Sequence, residues 1–430
     1  MSTPQLRRPR RDRAVILLIV LWIVVVLSLI AYSLLFQVGS ETTVTAARKK
    51  EVKAEALARA GLAKAIADLR NDMLFDMAEE AKQFDGEGDV WARPEEGKLN
   101  AQLTRHEEDG MYNVRVYDED GLLNINRFSP ANMLVLQKVI EKIGYNEEDA
   151  KLVAAAIVDW RDNDQTPAMP DSPSNDEGIA YAVLKGRDEN GEDDPDDVTP
   201  VVFRNEDFLT VDELLEVYGV TPELYFGPGS PEAEYYTNLL GGPQGERFKI
   251  DKRHRRKKDG PVPGLRDYFT TYPVGALNIN TAPEHVLAAV AEAAGQLDGD
   301  DWAERVVKIR RSGSDEDIDN DSAFKDNVQL QANAEVGGVV QIASSLYQFG
   351  LTSGTFHVIS TGEVGNVKYR LDAIVTRGLV NLTRDEKFEA IDRAKERLDR
   401  GQNRSERRTD KKNDLLVRYP AVRIVQMFHD

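Results

Sequence analysis

The sequence contains no cysteine, and its five histidines have no ligand-like spacing. A disulfide framework and cysteine-based sites are therefore excluded. The motifs G-x-S-x-G and H-E-x-x-H and the phosphate-binding P-loop are also missing. Ordinary hydrolase chemistry has no support in these residues, so the sequence predicts a protein that is not an enzyme.

The sequence has fewer basic than acidic residues. The 430 residues include 55 Lys and Arg against 74 Asp and Glu, which gives a net charge of −19. Such a chain is expected to be soluble outside a membrane anchor and to avoid nucleic acid and anionic lipid. Its length allows one large or two ordinary domains beyond an anchor.

Proline is absent from Glu41 to Lys82, and glycine occurs there once, at Gly61. An uncharged, mostly apolar run of 23 residues, Ala14 to Phe36, precedes this segment. The pattern predicts one helix of about 100 Å that is apolar all round in its first half and amphipathic in its second. The predicted packing stripe of the second half is Leu57, Leu62, Ile66, Leu69, Met73 and Met77.

The apolar run is long enough to cross a membrane, and five arginines flank only its N-terminal side. This asymmetry predicts that the N-terminus stays in the cytoplasm and that the rest lies on the far side. At Arg13-Ala14-Val15 a basic residue is followed by a small one and then by the apolar run. A peptidase cutting there would remove a basic leader, residues 1–14, and leave the helix on the mature protein. An uncleaved signal anchor is the alternative interpretation.

Strand patterns lie in residues 83–126 and 354–430, on either side of mostly helical sequence. The predicted strands are Ala101–His106, Met111–Tyr117, Thr355–Thr361, Val367–Val375 and Val422–Phe428. The economical architecture is an α+β fold in which the rod helix, residues 15–82, packs on a small antiparallel sheet. A large all-α domain, residues 127–353, is then inserted between strands of that sheet.

An internal repeat marks the predicted insertion. Gly121–Asn126 reads G-L-L-N-I-N, Gly275–Asn280 reads G-A-L-N-I-N, and each precedes a capped helix. Similar strings open helix-hairpin-helix modules that bind the DNA backbone, which is the competing interpretation. Those modules need a glycine-rich turn facing phosphate, whereas both turns here are acidic. We therefore predict packing modules and no nucleic-acid partner.

Acidic residues cluster after the predicted helix at Val153–Arg161. Asp159 stands at the helix end, and Asp162 and Asp164 follow in a loop. Together with backbone oxygens these carboxylates could share a calcium ion. A solvated acidic loop is the alternative interpretation.

The segment RAVILLIVLWIVVVLSLIA resembles the start of K-type pseudopilins of type II secretion systems, the general secretion pathway protein K family. Those proteins begin with a basic leader, a glycine and an apolar stretch of the V-A-L-L-x-V-L-W kind. Here Ala14 takes the place of the glycine, and Val15 would be the first mature residue. Most pseudopilins have glutamate as the fifth mature residue, whereas this chain has Ile19. Lack of that glutamate is a mark of the K type.

The resemblance implies a pilin-like domain with an inserted α-domain that can bind calcium. The family's D-W-x-D-x-D segment matches Asp159, Asp162 and Asp164 residue by residue. A glutamate further along the chain is usual in the family, and Glu177 is the nearest candidate here. The resemblance therefore implies Asp159, Asp162, Asp164 and Glu177 as calcium ligands.

The resemblance also implies a function. It predicts a non-enzymatic minor pseudopilin, single-pass in the inner membrane with its bulk in the periplasm, at the tip of the pseudopilus that supports export of folded proteins. Implied partners are other minor pseudopilins, the inner-membrane secretion machinery, prepilin peptidase and inner-membrane lipid. Two alternatives stay open: a minor pilin of a type IV pilus, and a membrane-anchored helix-hairpin-helix DNA-uptake receptor, which would need basic hairpin turns.

The resemblance to K-type pseudopilins does not account for two charged segments of the chain. We interpret the basic run Lys252–Lys258 as a disordered loop, with docking to an acidic partner as the alternative. We interpret Arg384–Asn413 as an elaborated connection between the last two strands.

Overall fold

The computed structural model describes residues 11–78, 84–92, 110–169, 171–186, 201–240, 248–250, 262–311, 323–381 and 418–429. It begins with α1, Arg11–Ala78, a continuous helix of 68 residues. A helix of this length extends over about 100 Å, as the sequence predicts. The predicted end of the rod at Lys82 and the predicted strand Ala101–His106 lie outside the described residues, as do the two charged segments.

The other elements follow α1 in chain order. They are β1 Met111–Asp118, β2 Leu123–Asn124, α2 Met133–Ile143, α3 Glu147–Asp159, α4 Glu177–Gly186, α5 Pro222–Phe226, α6 Pro231–Leu240, β3 Phe269–Thr270, β4 Leu277–Asn278, α7 Glu284–Ala293, α8 Gly299–Arg310, α9 Asn327–Ala332, α10 Gly337–Ala343, β5 Phe349–Gly350, β6 Thr355–Val364, β7 Val367–Asn381 and β8 Arg418–His429. Short 3-10 helices occupy Glu119–Gly121, Ile125–Arg127, Val211–Glu216 and Leu265–Asp267.

The first half of α1 exposes its apolar side chains. Val15, Ile19 and Trp22 are 58%, 54% and 69% exposed. An 18-residue window of this helix has a mean hydropathy of 3.2, with none of it buried. By length and composition alone, α1 could therefore cross a membrane.

The second half of α1 packs on the sheet through small residues. Its buried positions are Ala54, Ala58, Leu62, Ala65 and Leu69. A Cβ on Gly61 would collide with Oγ of Ser360, which donates a hydrogen bond to the Ala58 carbonyl at 2.7 Å. Leu57 and Ile66 of the predicted stripe are only half-buried. The stripe is displaced because alanine and glycine at its centre allow the helix backbone to approach the strands closely.

The strands form an antiparallel sheet in the order β1-β6-β7-β8. Val116 pairs with Val358, and Val358 pairs with Ala373, so apolar side chains meet across three strands. Gly365 adopts φ +61 in the turn between β6 and β7, a conformation that favours glycine. The four predicted strands that fall within the described residues are present, although β6, β7 and β8 extend further than their patterns indicate.

The polypeptide between β1 and β6 forms the insertion. It is mostly helical and has its own hydrophobic core, which includes the fully buried Trp302. It also contains two short parallel ladders that the sequence did not indicate, β2 with β3 and β4 with β5. Each ladder uses the leucine and the first asparagine of one repeat, Leu123-Asn124 or Leu277-Asn278. The predicted fold class, α+β with a long helix on an antiparallel sheet, is confirmed.

Candidate functional site

The acidic cluster lies at the C-terminal end of α3. Asp159 is the last residue of this helix, and its side chain is fully buried. Its Oδ1 accepts a hydrogen bond from the Ala168 N–H at 2.9 Å, and its Oδ2 accepts one from the Tyr181 hydroxyl at 2.7 Å. These bonds hold the loop after α3, and then α4, against the helix end.

Three carboxylates meet there. Oxygens of Asp159, Asp162 and Glu177 all lie within 4.8 Å of one another. Oδ1 of Asp162 and Oε1 of Glu177 are buried and have no hydrogen-bond partner. A buried carboxylate oxygen without a partner is costly. A cation bound between these side chains would remove that cost, so the residues present fit a metal ion.

The same crowding disfavours three negative charges. Burial, followed by the charges of Asp159, Asp162 and other neighbours, raises the pKa of Glu177 to about 8. Burial raises the pKa of Asp159 to about 7, although the hydrogen bond from Tyr181 opposes that shift. Burial and the charge of Asp164 raise the pKa of Asp162 as well. Without a cation, the cluster therefore favours binding of protons near neutral pH.

The structure brings together three of the four predicted ligands. Asp164 is exposed, and its Oδ1 accepts a hydrogen bond from the Thr166 N–H at 2.7 Å. No oxygen of Asp164 belongs to the group of ligand atoms within 4.8 Å. Asp164 therefore contributes negative charge to the surroundings of the cluster, and calcium itself stays a prediction.

Sequence reasoning missed a second acidic group, formed by Asp72, Asp85 and Asp89. Here a positive charge is already in place, because Arg377 of β7 donates to Asp72 at 2.7 Å and to Asp85. The side chain of Arg377 is only 5% exposed. This group is a buried ion pair between α1, the segment after it and the sheet. About 290 residues separate its charges, so no local pattern could have indicated it.

The two repeats form matching units. Copy 1 comprises β2, α2, α3 and Phe208, and copy 2 comprises β4, α7, α8 and Phe324. In copy 1, Asn126 Oδ1 accepts from the Phe208 N–H at 2.8 Å, and its Nδ2 donates to the Phe208 carbonyl at 2.9 Å. In copy 2, Asn280 makes the same two bonds with Phe324, both at 3.0 Å. The repeated asparagines thus fix a distant backbone segment against each hairpin.

The hairpin turns are unsuited to phosphate. In copy 1 the Asp149 N–H donates to Asn146 Oδ1 at 2.9 Å, and in copy 2 the Asp301 N–H donates to Asp298 Oδ1 at 2.9 Å. Side-chain acceptors therefore occupy backbone donors at the start of each second helix. The first turns also carry three acidic residues in α3 and two in α8. These charges would repel a DNA backbone.

The predicted processing residues lie on α1. Val15 and Ile19 are exposed in its apolar half, and Ala14 belongs to the same helix. No contact among the described residues assigns them a role, so cleavage at Ala14-Val15 and the significance of Ile19 stay predictions.

No family model matches the sequence. No curated protein matches it either. The chain is similar to a chain in the crystal structure of the GspK-GspI-GspJ complex from the enterotoxigenic Escherichia coli type 2 secretion system. The two are 14% identical with a TM-score of 0.47, over 78% of this chain and 94% of that chain. At this identity and score, the likeness assigns no residue, ligand or partner to the present chain.

Proposed function

We propose that this chain is a minor pseudopilin of a type II secretion system, with a structural role and no catalysis. The observation that carries the proposal is the division of α1 into an exposed apolar half and a half that packs on an antiparallel sheet. A simple membrane tether needs only the first half. A filament subunit needs both, because its globular part must be fixed rigidly to the helix that enters the filament.

Maturation follows from the residues at the start of α1. We infer that prepilin peptidase removes residues 1–14 at the cytoplasmic face of the inner membrane and leaves Val15 as the first residue. The arginines that precede the helix keep the N-terminus inside. The remainder of the chain then lies in the periplasm, and the exposed apolar side chains of α1 contact lipid.

Ile19 supports a place at the tip of the pseudopilus. In the filaments that this chain resembles, a glutamate at this position is thought to pair with the N-terminal amine of a neighbouring subunit. A carboxylate in hydrocarbon is expensive unless it is paired. Ile19 avoids that cost and forgoes the attraction that would dock this subunit beneath another. The chain can therefore occupy the first position in the filament.

The insertion supports the same place. It enters the fold after Asp118 and returns at Thr355, between two neighbouring strands of the sheet. This bulk would obstruct the stacking of another subunit above the chain. We infer that the partners are other minor pseudopilins, which contact α1 and the sheet from below, and the inner-membrane secretion machinery.

The acidic cluster would hold a calcium ion in this assembly. Asp159, Asp162 and Glu177 offer hard oxygen ligands, the donor type that calcium prefers. The ion would neutralise the three carboxylates. With the ion bound, Asp159 still accepts its hydrogen bonds from Ala168 and Tyr181, and the loop stays fixed between α3 and α4.

Stoichiometry and cross-linking test the proposal. The natural chain lacks cysteine, so a single Val44→Cys substitution on exposed α1 gives a defined cross-linking position. Val328→Cys, on the exposed surface of the insertion, is the matched control. We expect very few copies per purified pseudopilus by quantitative mass spectrometry, and cross-links to other pseudopilins from Val44→Cys alone. Copy numbers near that of the major subunit, or cross-links mainly between copies of this chain, would contradict the tip position.

A further inference from the structure

A cleft of about 600 Å³ lies between copies 1 and 2. Glu141 and Lys142 of α2 form one side, and Glu284 and Glu292 of α7 form the other. Asp300, at the start of α8, closes one end. The cleft shares no residue with the acidic cluster, and neither the fold nor the proposed function accounts for it.

The cleft has an excess of negative charge. Lys142 Nζ lies 2.8 Å from a carboxylate oxygen of Glu292 and 2.9 Å from one of Asp300, so a single ammonium pairs with two carboxylates. Glu141 pairs with Lys138 at 2.6 Å. Glu284 is exposed and has no hydrogen-bond partner in the part of the chain that the structure describes. The walls thus hold four carboxylates. Lys138 and Lys142 pair with three of them, and the cations nearest to the fourth, Glu284, are Arg310 and Arg311, which already pair with Glu87.

Tyr268 is the second indication of a ligand. This side chain lines the cleft and is only 2% exposed, yet its hydroxyl forms no hydrogen bond within the described residues. Burial raises the pKa of Tyr268, and the charges of Asp300, Asp267 and Glu292 raise it further. Tyr268 lines the cleft together with two of these carboxylates, Glu292 and Asp300. A tyrosine as buried as this one ordinarily has a hydrogen-bond partner for its hydroxyl, and a ligand in the cleft would supply one.

The remaining walls are aromatic and apolar. The His285 ring meets the Tyr268 ring edge to face at 4.6 Å. His285 Nε2 lies 2.9 Å from the Asp267 carbonyl, which can only accept, so Nε2 carries a proton. Val262 and Pro263 add apolar surface. A ligand that fits these walls has a cationic end with several N–H donors and an apolar stem.

We propose that this cleft binds an arginine side chain presented by a basic segment of a partner protein. The guanidinium has five N–H donors, enough to reach the Glu284 carboxylate and the Tyr268 hydroxyl oxygen together. The tyrosine and histidine rings favour a flat cation. The methylene groups of the arginine pack on Val262 and Pro263. This site goes beyond the proposed function and would exist in this chain whichever machine contains it.

Peptide binding to the full-length chain in detergent tests the site. The probe is a fluorescent Gly-Arg-Gly-Arg-Gly peptide, and the same peptide with citrulline in place of arginine is its neutral counterpart. The variants are Tyr268→Phe and Glu284→Gln. Glu304→Gln is the matched control, because Glu304 is exposed on α8 outside the cleft and its substitution makes the same change of charge.

We expect fluorescence polarisation to show arginine-peptide binding that citrulline weakens at least ~10-fold. Tyr268→Phe and Glu284→Gln should each weaken binding ~5-fold or more, and Glu304→Gln should leave it unchanged. The melting temperature of Tyr268→Phe should not fall, since the lost hydroxyl has no partner. Equal affinity in all variants would indicate attraction to the net charge alone and would overturn the proposal. A lower melting temperature for Tyr268→Phe with unchanged peptide affinity would also overturn it.

Discussion

Copies 1 and 2 share a framework but differ in the segment that follows it. In copy 1, Arg161 donates to the Phe128 carbonyl; in copy 2, Arg310 donates to the Ala282 carbonyl at 2.8 Å. Phe128 and Ala282 each stand four residues after the first asparagine of their repeat. The asparagines and the arginine therefore act as a structural unit that occurs twice, once at each end of the insertion.

The connections to the two phenylalanines differ. In copy 1, 46 residues separate Arg161 from Phe208, and they contain Asp162 and Glu177 of the acidic cluster. In copy 2, only 13 residues separate Arg310 from Phe324. The repeat therefore supplies the scaffold, and the candidate metal centre is an addition to one copy of it.

Among the described residues, hydrogen bonds tie copy 2 to the end of β1 and to the segments next to β1 and β6. The Thr281 hydroxyl donates to Asp118 at 2.5 Å, and the Gly275 N–H donates to Asp120 at 2.6 Å. Asn278 Nδ2 donates to the Ser353 hydroxyl at 2.7 Å. Copy 2 should therefore contribute more to the stability of the whole chain than copy 1, and copy 1 should respond more to ions.

The largest expected effect is the loss of Asn280. Asn280→Ala leaves the buried N–H and carbonyl of Phe324 without partners, which should cost on the order of 4 kcal/mol. Asn126→Ala should cost less, because Asn126 is only half-buried whereas Asn280 is 1% exposed. Urea unfolding of both variants in detergent measures the difference. Equal losses of unfolding free energy would contradict the larger contribution to stability that we assign to copy 2.

Substitution of the paired arginines should give the next largest effect. Arg310 is 4% exposed and also donates to the Ile279 carbonyl at 2.9 Å and to Glu87 at 2.7 Å. Arg310→Leu should cost about 3 kcal/mol. Arg161→Leu should cost about 1 kcal/mol, because Arg161 is more exposed and its ion pair with Asp207 is open to water. Thermal unfolding would refute this account if Arg161→Leu proved the more damaging change.

Calcium should act on copy 1 alone. Ligand binding to the native state adds about 2.7 kcal/mol at a hundredfold excess over Kd, so the chain should melt higher in millimolar calcium than in chelator. Asp162→Asn should abolish that shift. Asp164→Asn is the matched control and should retain most of it, because Asp164 offers no ligand atom to the group. A shift that survives Asp162→Asn, or the absence of a shift in the natural chain, counts against the site.

The smallest expected effect concerns the tie between copy 2 and the sheet. Burial, and then the charge of Asp120, raises the pKa of Asp118 to about 7, whereas the unfolded value is about 3.9. The folded chain therefore binds a proton that the unfolded chain does not. Asp118 alone should add about 1.4 kcal/mol of stability as the pH falls from 8 to 6.

Asp118→Asn should flatten that pH dependence. The comparison requires melting curves of both chains at pH 8 and pH 6. The acidic cluster is the same in both chains, so its titration cancels from the difference between their slopes. An identical slope in the variant would show that Asp118 is not the group responsible.

Much of the fold could be predicted because its signals are local. The absence of proline and the apolar run specify α1, and alternating residues specify β1, β6 and β7. The displaced stripe on α1 could not be predicted, because the close approach of Ala58 and Gly61 to the sheet depends on Ser360, about 300 residues away. The ladders β2–β3 and β4–β5 are too short to leave a pattern.

The sequence predicts only those parts of the candidate site that depend on local patterns. Asp159 and Asp162 are near in sequence, and their proximity follows from the end of a helix. The place of Glu177 depends on the path of the loop, which the bonds from Ala168 and Tyr181 to Asp159 determine. The spacing of Asp164 matched the family pattern, yet its local bond to Thr166 directs it away from the ligand group. Tyr268 gave no signal in the sequence, because an unpaired hydroxyl can be recognised only once its neighbours are placed.

The central claim is that the chain is processed and assembled as a pseudopilin, and the intact mass of the protein extracted from membranes tests it most directly. We expect the mass of a chain that begins at Val15, and the full-length mass in cells that lack prepilin peptidase. A chain that keeps residues 1–14 in the assembled machine would contradict the account.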